Sequence, residues 1–167
     1  HPLMEYFSFV CYILIMIQHF VVNFVLVKEN KVLIEKSNAS NWKLPGGHIE
    51  IEKDEDPLSA CKREAEEELD CDIQIVASKS LIDKKYSYPR PMEMFIEKVD
   101  QDSKTTEPHD NIGMVYASIS NQNPKGKEGQ EIRWCSIEEL MDLDVLKPII
   151  IFAKEAIKLV DSDHSLY

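Results

Sequence analysis

Between Leu44 and Cys71 the chain passes from a Pro-Gly-Gly turn through a short acidic loop into a helix with three glutamates on one face. No other stretch restricts the fold as tightly. The helix runs from about Pro57 to Leu69. Asp56 is a good N-cap, and Pro57 falls at the first helical position, where its missing N–H costs nothing. Leu58, Cys61, Ala65 and Leu69 recur at spacings of three and four, which gives one apolar stripe to bury. Glu64, Glu67 and Glu68 stand at i, i+3 and i+4 and so share a face. Like charges at those spacings weaken an isolated helix by roughly 0.2–0.5 kcal/mol per pair, so the fold must bring a cation to them. Three carboxylates suit a hard divalent ion, Mg²⁺ or Mn²⁺. The turn Pro45-Gly46-Gly47 permits close backbone approach, which makes the Gly46 carbonyl a further candidate ligand. Arg63, on the same helix, can pair with an acid of the loop and hold the loop down. Glutamate runs are often no more than solvated helix faces; the glycine turn, the arginine and the acidic loop together favour a metal site.

Charge patterning agrees. The 167 residues carry 30 acidic and 19 basic side chains, a formal charge of −11. Ten acids and three bases lie between Glu50 and Asp70, so most of the excess belongs to this one segment. Such a chain is a poor match for phosphate backbones, which excludes non-specific nucleic-acid binding. It can still hold an anionic substrate through bound metal. The length suits a single domain, and 44% hydrophobic residues suffice for a core. Cys11, Cys61, Cys71 and Cys135 form no CxxC pair, which argues against zinc or redox motifs and for structural thiols in a reducing, cytoplasmic setting.

From Tyr6 to Val27 no charged residue occurs, long enough to suggest a membrane span. Gln18, His19 and Asn23 interrupt the run and no basic cluster flanks it, so the expectation is no membrane association. The β-formers Val21, Val22, Phe24, Val25 and Val27 predict a strand, and Lys28-Glu29-Asn30-Lys31 a hairpin turn into Val32-Leu33-Ile34. Residues 1–15 are read as a remnant, His1-Pro2-Leu3, plus an apolar segment whose residues 6–15 are open to three readings, an extra strand, a helix or an apolar surface covered by a partner. Met16 is an alternative start, and residues 16–167 form one domain. No basic n-region or small-residue cleavage site marks a signal peptide.

Further strands are expected near 18–27, 31–36, 72–83, 92–99, 112–119 and 131–135. A helix follows Ser136, where Ser136-Ile137-Glu138-Glu139 matches a capping box, and another covers about Val145–Val160. Strands with a few helices and no regular βαβ alternation indicate an α+β layered sandwich.

The segment resembles the Nudix box, G-x5-E-x7-R-E-U-x-E-E-x-G-U with U aliphatic. Arg63, Glu64, Glu67 and Glu68 match their positions, and Glu55 precedes Arg63 by the required interval. Seven residues rather than five separate Gly47 from Glu55, a two-residue insertion; Glu52, at the x5 distance from Gly46, competes for the first glutamate. Ala65 and Asp70 also depart from the pattern, Asp70 standing for the final glycine in a left-handed position that aspartate tolerates. The resemblance implies a Nudix-type α/β/α sandwich with a mixed central β-sheet. It implies metal-dependent hydrolysis of a diphosphate bond in a nucleoside diphosphate derivative. Glu64, Glu67, Glu68 and the Gly46 carbonyl would hold Mg²⁺, and Glu55 and Arg63 would brace loop to helix. Glu64 is a candidate base, as are the more distant Glu107, Glu128 and Glu131, with Glu131 first among these three. Homodimers are common in the family, so a second copy is one occupant for residues 6–15.

A nucleoside triphosphate or nucleotide sugar is the expected substrate, since a compact chain favours a small one. Tyr88 and Pro89, 17 and 18 residues past Cys71, carry the alternative of a dinucleoside-polyphosphate or ADP-ribose hydrolase. Tyr88 and Arg90 are the candidate substrate contacts; Tyr86, Phe95, Tyr116 and Lys84-Lys85 are weaker ones, more readily read as core or surface. His48 and His109 read as polar surface residues. A non-catalytic nucleotide sensor is the third reading.

Overall fold

A computed structural model describes residues 18–37, 41–100 and 108–167. The expectations for residues 6–15, for Met16 and for Glu107 lie outside the described residues. In chain order the elements are β1 (Gln18–Lys28), β2 (Lys31–Ser37), β3 (Gly46–His48), α1 (Pro57–Leu69), β4 (Gln74–Ser78), β5 (Glu93–Val99), β6 (His109–Ile119), β7 (Gln130–Cys135), α2 (Ile137–Met141), α3 (Lys147–Val160) and β8 (His164–Leu166).

The strands form one mixed sheet in the order β7-β2-β1-β6-β4-β8, with β3 added to β1 and β5 to β6. Both central strands split their outer edge between two partners. β1 pairs with β3 through Val21–Asn23 and with β2 through Val27 and Lys28. β6 pairs with β5 over its first half and with β4 over its last residues. The β1–β6 pairing is parallel and runs from Gln18↔Asp110 to Leu26↔Ser118.

Alternation along these strands makes two cores. Val22, Phe24 and Leu26 of β1 and Tyr116 of β6 meet Ala60, Cys61, Ala65 and Leu69 of α1. Val25, Val27, Val115 and Ala117 face the other way and meet Ile149, Ala153 and Ala156 of α3. Helices thus cover both faces of a mixed sheet, which is the α/β/α sandwich.

Local chemistry explains most boundaries. Glu29 and Asn30 both have positive φ, 52° and 57°, as a two-residue turn twisted to suit a hairpin requires. β4 ends at Ser78 rather than near residue 83, because Ser80 Oγ accepts from Ile82 N and Asp83 Oδ1 from Lys85 N, folding the chain into turns. α3 starts at Lys147, two residues later than Val145, since Pro148 suits a first turn and Leu146 before it is extended. The capping box at Ser136 is present in both directions. β3 and β8, of three residues each, carry no alternation that a sequence reading could use.

Candidate active site

α1 presents its carboxylates to the strand that begins at Gly46. Its N-terminus is closed by Asp56, whose side chain accepts from Leu58 N and Ser59 N at 2.9 and 3.1 Å. Its last turn ends on Asp70 in the left-handed conformation, φ 50° and ψ 43°, so the residue replacing the motif's glycine adopts the glycine's geometry.

Opposite the middle of the helix, the β1 ladder uses the Pro45 carbonyl and the Ile49 amide. Antiparallel alternation therefore turns the peptide groups of Gly46 away from β1. Its N–H donates to Glu68 Oε2 at 2.9 Å. Gly46 has φ 141°, and a Cβ there would lie 2.1 Å from the Val22 carbonyl oxygen, so only glycine fits. A Cβ on Gly47 would lie 2.3 Å from Glu64 Oε1; the missing side chain is the space the carboxylate occupies.

Arg63 ties loop to helix. Nε and Nη2 donate to the two oxygens of Glu55 at 2.7 and 3.0 Å, and Nη2 also donates to the His48 carbonyl at 2.8 Å. Nη1 reaches Glu64 Oε1 at 2.7 Å and Glu67 Oε2 at 3.2 Å. The two extra loop residues are absorbed in a 3₁₀ turn, Ile51–Lys53, ended by Asp54 at φ 57°. That turn brings Glu50 N onto Glu55 Oε2 at 2.8 Å and lets Glu55, not the exposed Glu52, meet Arg63.

The electrostatics follow from crowding. Burial, with the charge of Glu35 nearby, pushes the Glu68 carboxyl up to about 7. Burial also raises Glu64, against the pull of Arg63. The Arg63 guanidinium holds Glu55 below the usual carboxylate range. Glu35, on β2, is buried beneath this cluster, with Lys43 Nζ at 3.1 Å from one oxygen and Gln130 Nε2 on the other. Burial opposes the charge on Lys43, yet Glu35 and Glu68 raise its pKa above the usual lysine value. Glu35 is the residue sequence reasoning missed. Its signal is an acid two residues after Leu33, on the core-facing side of the strand that begins Val32-Leu33-Ile34.

A cluster of five carboxylates braced by Arg63 and Lys43 retains negative charge, and its donors are all oxygen, which fits a hard divalent cation. A family model for the NUDIX domain matches residues 13–159. The chain belongs to the NUDIX family. It is a pyrophosphohydrolase of that family, acting on nucleoside diphosphate derivatives. A NUDIX-family hydrolase from Clostridium perfringens is similar in structure, with 25% identity and a TM-score of 0.68 over 86% of this chain and 99% of that one. The E. coli ORF135 protein aligns with 19% identity and a TM-score of 0.57 over 87% and 93% of the two chains. A UDP-X diphosphatase aligns with 15% identity and a TM-score of 0.58 over 90% and 70%. No curated protein matches the sequence significantly.

Other sequence-selected residues of this NUDIX domain are placed elsewhere. Ile132 and Trp134 of β7 pack on the α1 side, so Glu131 points to the opposite face, exposed and 3.9 Å from Lys36. The structure therefore does not bring Glu131, the first-ranked of the distant bases, to the box carboxylates. Glu128 is exposed in the turn before β7. Tyr88 donates its hydroxyl to Asp56 Oδ1 at 2.7 Å and accepts from Leu58 N at 3.0 Å, extending the cap of α1. Tyr88 and Arg90 line a pocket of about 300 Å³ with Tyr86, Leu81, Ile82 and Tyr167. Asp56 and Glu64 are eight residues apart, about 12 Å along the helix axis, so this pocket opens at some distance from Glu64, Glu67 and Glu68. Tyr116 is buried against α1, and Phe95 stacks on Phe152 of α3. His48 and His109 are not separate surface residues: both meet His19. Among the described residues no helix is long and apolar enough to cross a membrane.

Proposed function

We propose that this protein hydrolyses a diphosphate bond in a free nucleotide, a nucleoside triphosphate or nucleotide sugar, and that the reaction depends on Mg²⁺, with Mn²⁺ as a substitute. The carrying observation is the packing of Glu64 and Glu68 against Gly47 and Gly46, which fits an oxygen-only cation site beside a half-buried strand. Glu64, Glu67, Glu68 and the Gly46 carbonyl would hold the ion. When bound, it would neutralise phosphate charge and acidify an attacking water. Arg63 and Glu55 position the loop, and so decide where the Gly46 peptide lies relative to Glu68. Glu64, already raised by burial, is the candidate base, since Glu131 faces away. The buried free thiols of Cys61, Cys71 and Cys135 fit a reducing, cytoplasmic setting.

The test is turnover of a nucleotide panel with Mg²⁺ and product identification. Glu67→Gln should lower kcat on the order of 10²-fold or more while the fold is retained. Full turnover by that variant under saturating Mg²⁺ would remove the metal assignment. Tight nucleotide binding without any turnover would support the sensor instead.

The pocket at Tyr88 and Arg90 favours a second reading, a dinucleoside polyphosphate or ADP-ribose. Such a substrate has a second nucleoside or ribose able to span the distance from the carboxylates. Preference for these extended substrates in the same panel, lost in Tyr88→Ala, would select it.

A further inference from the structure

On the sheet face opposite the box carboxylates, three histidines from three neighbouring strands converge. His19 lies on β1, His48 on β3 and His109 on β6. The strand registers explain the convergence. His48 ends the β3 segment that pairs with Val21, and His109 precedes Asn111, the β6 partner of His19. Residues 19, 109 and 111 alternate with Phe20, Met114 and Tyr116, which pack on the α1 side, and therefore sit on the α3 face. His19 Nδ1 is 3.2 Å from His48 Nε2, and the His19 and His109 rings lie 4.2 Å apart between centroids. One ring nitrogen from each of the three lies within 4.8 Å of the others.

We propose that His19, His48 and His109 form a second metal site, for a borderline transition ion of the Zn²⁺ class. Imidazole nitrogen selects such ions over Mg²⁺, which takes oxygen ligands. Tetrahedral coordination at Zn–N of about 2.05 Å places ligand nitrogens about 3.3 Å apart. The His19–His48 pair already has that spacing, and small ring rotations bring in His109. Asn111 supplies an independent observation. It lies beside His19 in the register and on the same face, and its Oδ1 is buried without a hydrogen-bond partner among the described residues. A water in the fourth coordination position would give that oxygen a donor. The ion would staple β3, β1 and β6 at one end of the sheet. His48 also carries the carbonyl that Arg63 holds, so the staple would steady the loop from the far side of the sheet.

The experiment uses the full chain, stripped of metal and then given Zn²⁺ or Co²⁺ in excess Mg²⁺, so that the carboxylates are occupied. Equilibrium dialysis should retain about one equivalent of Zn²⁺, and Co²⁺ should develop the visible absorption of a tetrahedral nitrogen site. His19→Gln and His109→Gln should each weaken retention by roughly tenfold or more, while Glu67→Gln leaves it intact. Zn²⁺ should raise the Tm of the wild type and of Glu67→Gln but not of the histidine variants. If one histidine variant fails to fold, the other and the Co²⁺ spectrum carry the test. Complete displacement of Zn²⁺ by Mg²⁺, or retention lost in Glu67→Gln and kept in both histidine variants, would overturn the site.

Discussion

Arg63 donates from Nε and Nη2 to both carboxylate oxygens of Glu55, at 2.7 and 3.0 Å, and so joins the middle of α1 to the end of the acidic loop. The same guanidinium reaches the His48 carbonyl and Glu64, so one planar cation sets the loop, the strand and a carboxylate together. Lysine cannot copy that fork. Arg63→Lys should lose about 1.5–3 kcal/mol of stability, the range for hydrogen bonds to charged groups. It should also lower kcat more than it raises KM, because the carboxylates lose their alignment. Thermal melting and steady-state kinetics check both; an unchanged kcat would mean that the brace does not position the site.

Gly46 and Gly47 should fail in different ways. A Cβ at Gly46 collides with the backbone of Val22 and Asn23 at a φ of 141°, so Gly46→Ala should lower the Tm markedly. A Cβ at Gly47 meets only the end of the Glu64 side chain. Gly47→Ala should therefore keep the fold and displace that carboxylate, lowering activity at limiting Mg²⁺ far more than stability. Equal loss of Tm in the two variants would contradict this division.

Glu68 should make the metal-free protein less stable as pH rises. Its folded pKa, about 7, lies above the ordinary glutamate value of 4.5. Between those limits the native state keeps a proton that the unfolded chain has released, so stability falls through this window and levels off above it. Glu68→Gln removes its share of the decline and keeps an acceptor for the Gly46 N–H. Melting curves in chelator, wild type against variant, from pH 4.5 to 8 would show it; parallel curves would refute it. Mg²⁺ requires the ionised form, so its affinity should rise across the same window.

Glu35 should act on Glu68 through charge. Removing that charge in Glu35→Gln should move the pH dependence of Mg²⁺ affinity downward, since Glu35 is the second cause of the raised Glu68 pKa after burial. Mg²⁺ titrations at several pH values would read the shift, and an unshifted profile would place Glu35 outside the site's electrostatics.

Tyr88→Phe should cost about 0.5–1.5 kcal/mol, the worth of an ordinary hydrogen bond, and leave kcat nearly unchanged. The hydroxyl caps α1 through Asp56 and Leu58, and the ring that lines the pocket is kept. A large kcat loss without loss of Tm would instead assign the hydroxyl to the reaction.

Adjacent positions in the chain carried what could be read early. The N-cap at Asp56, Pro57 after it and the 3- and 4-residue spacings place α1 at Pro57–Leu69 without any tertiary information. The same spacings put Glu64, Glu67 and Glu68 on one face, because helical geometry is local. The need for a partner to Arg63 was equally legible. The choice of Glu55 over Glu52 depended on a 3₁₀ turn taking up the inserted residues, as a loop can.

Only the tertiary structure could decide matters that depend on strand register and facing. The family resemblance offers Glu131 as a distant base, but one residue of alternation sends it to the face away from α1, because side-chain direction in a strand has a period of two. The same rule works in reverse for His19, His48 and His109, which are separated by 29 and 61 residues in the chain and meet because β3, β1 and β6 are neighbours. Glu35 reads as the polar end of the Val32-Leu33-Ile34 run until Lys43, Gln130 and Glu68 surround it. Sequence by itself determined the helix, its charges and the chemistry they need; packing decided which distant groups share that chemistry, since pairing across a sheet has no local signature.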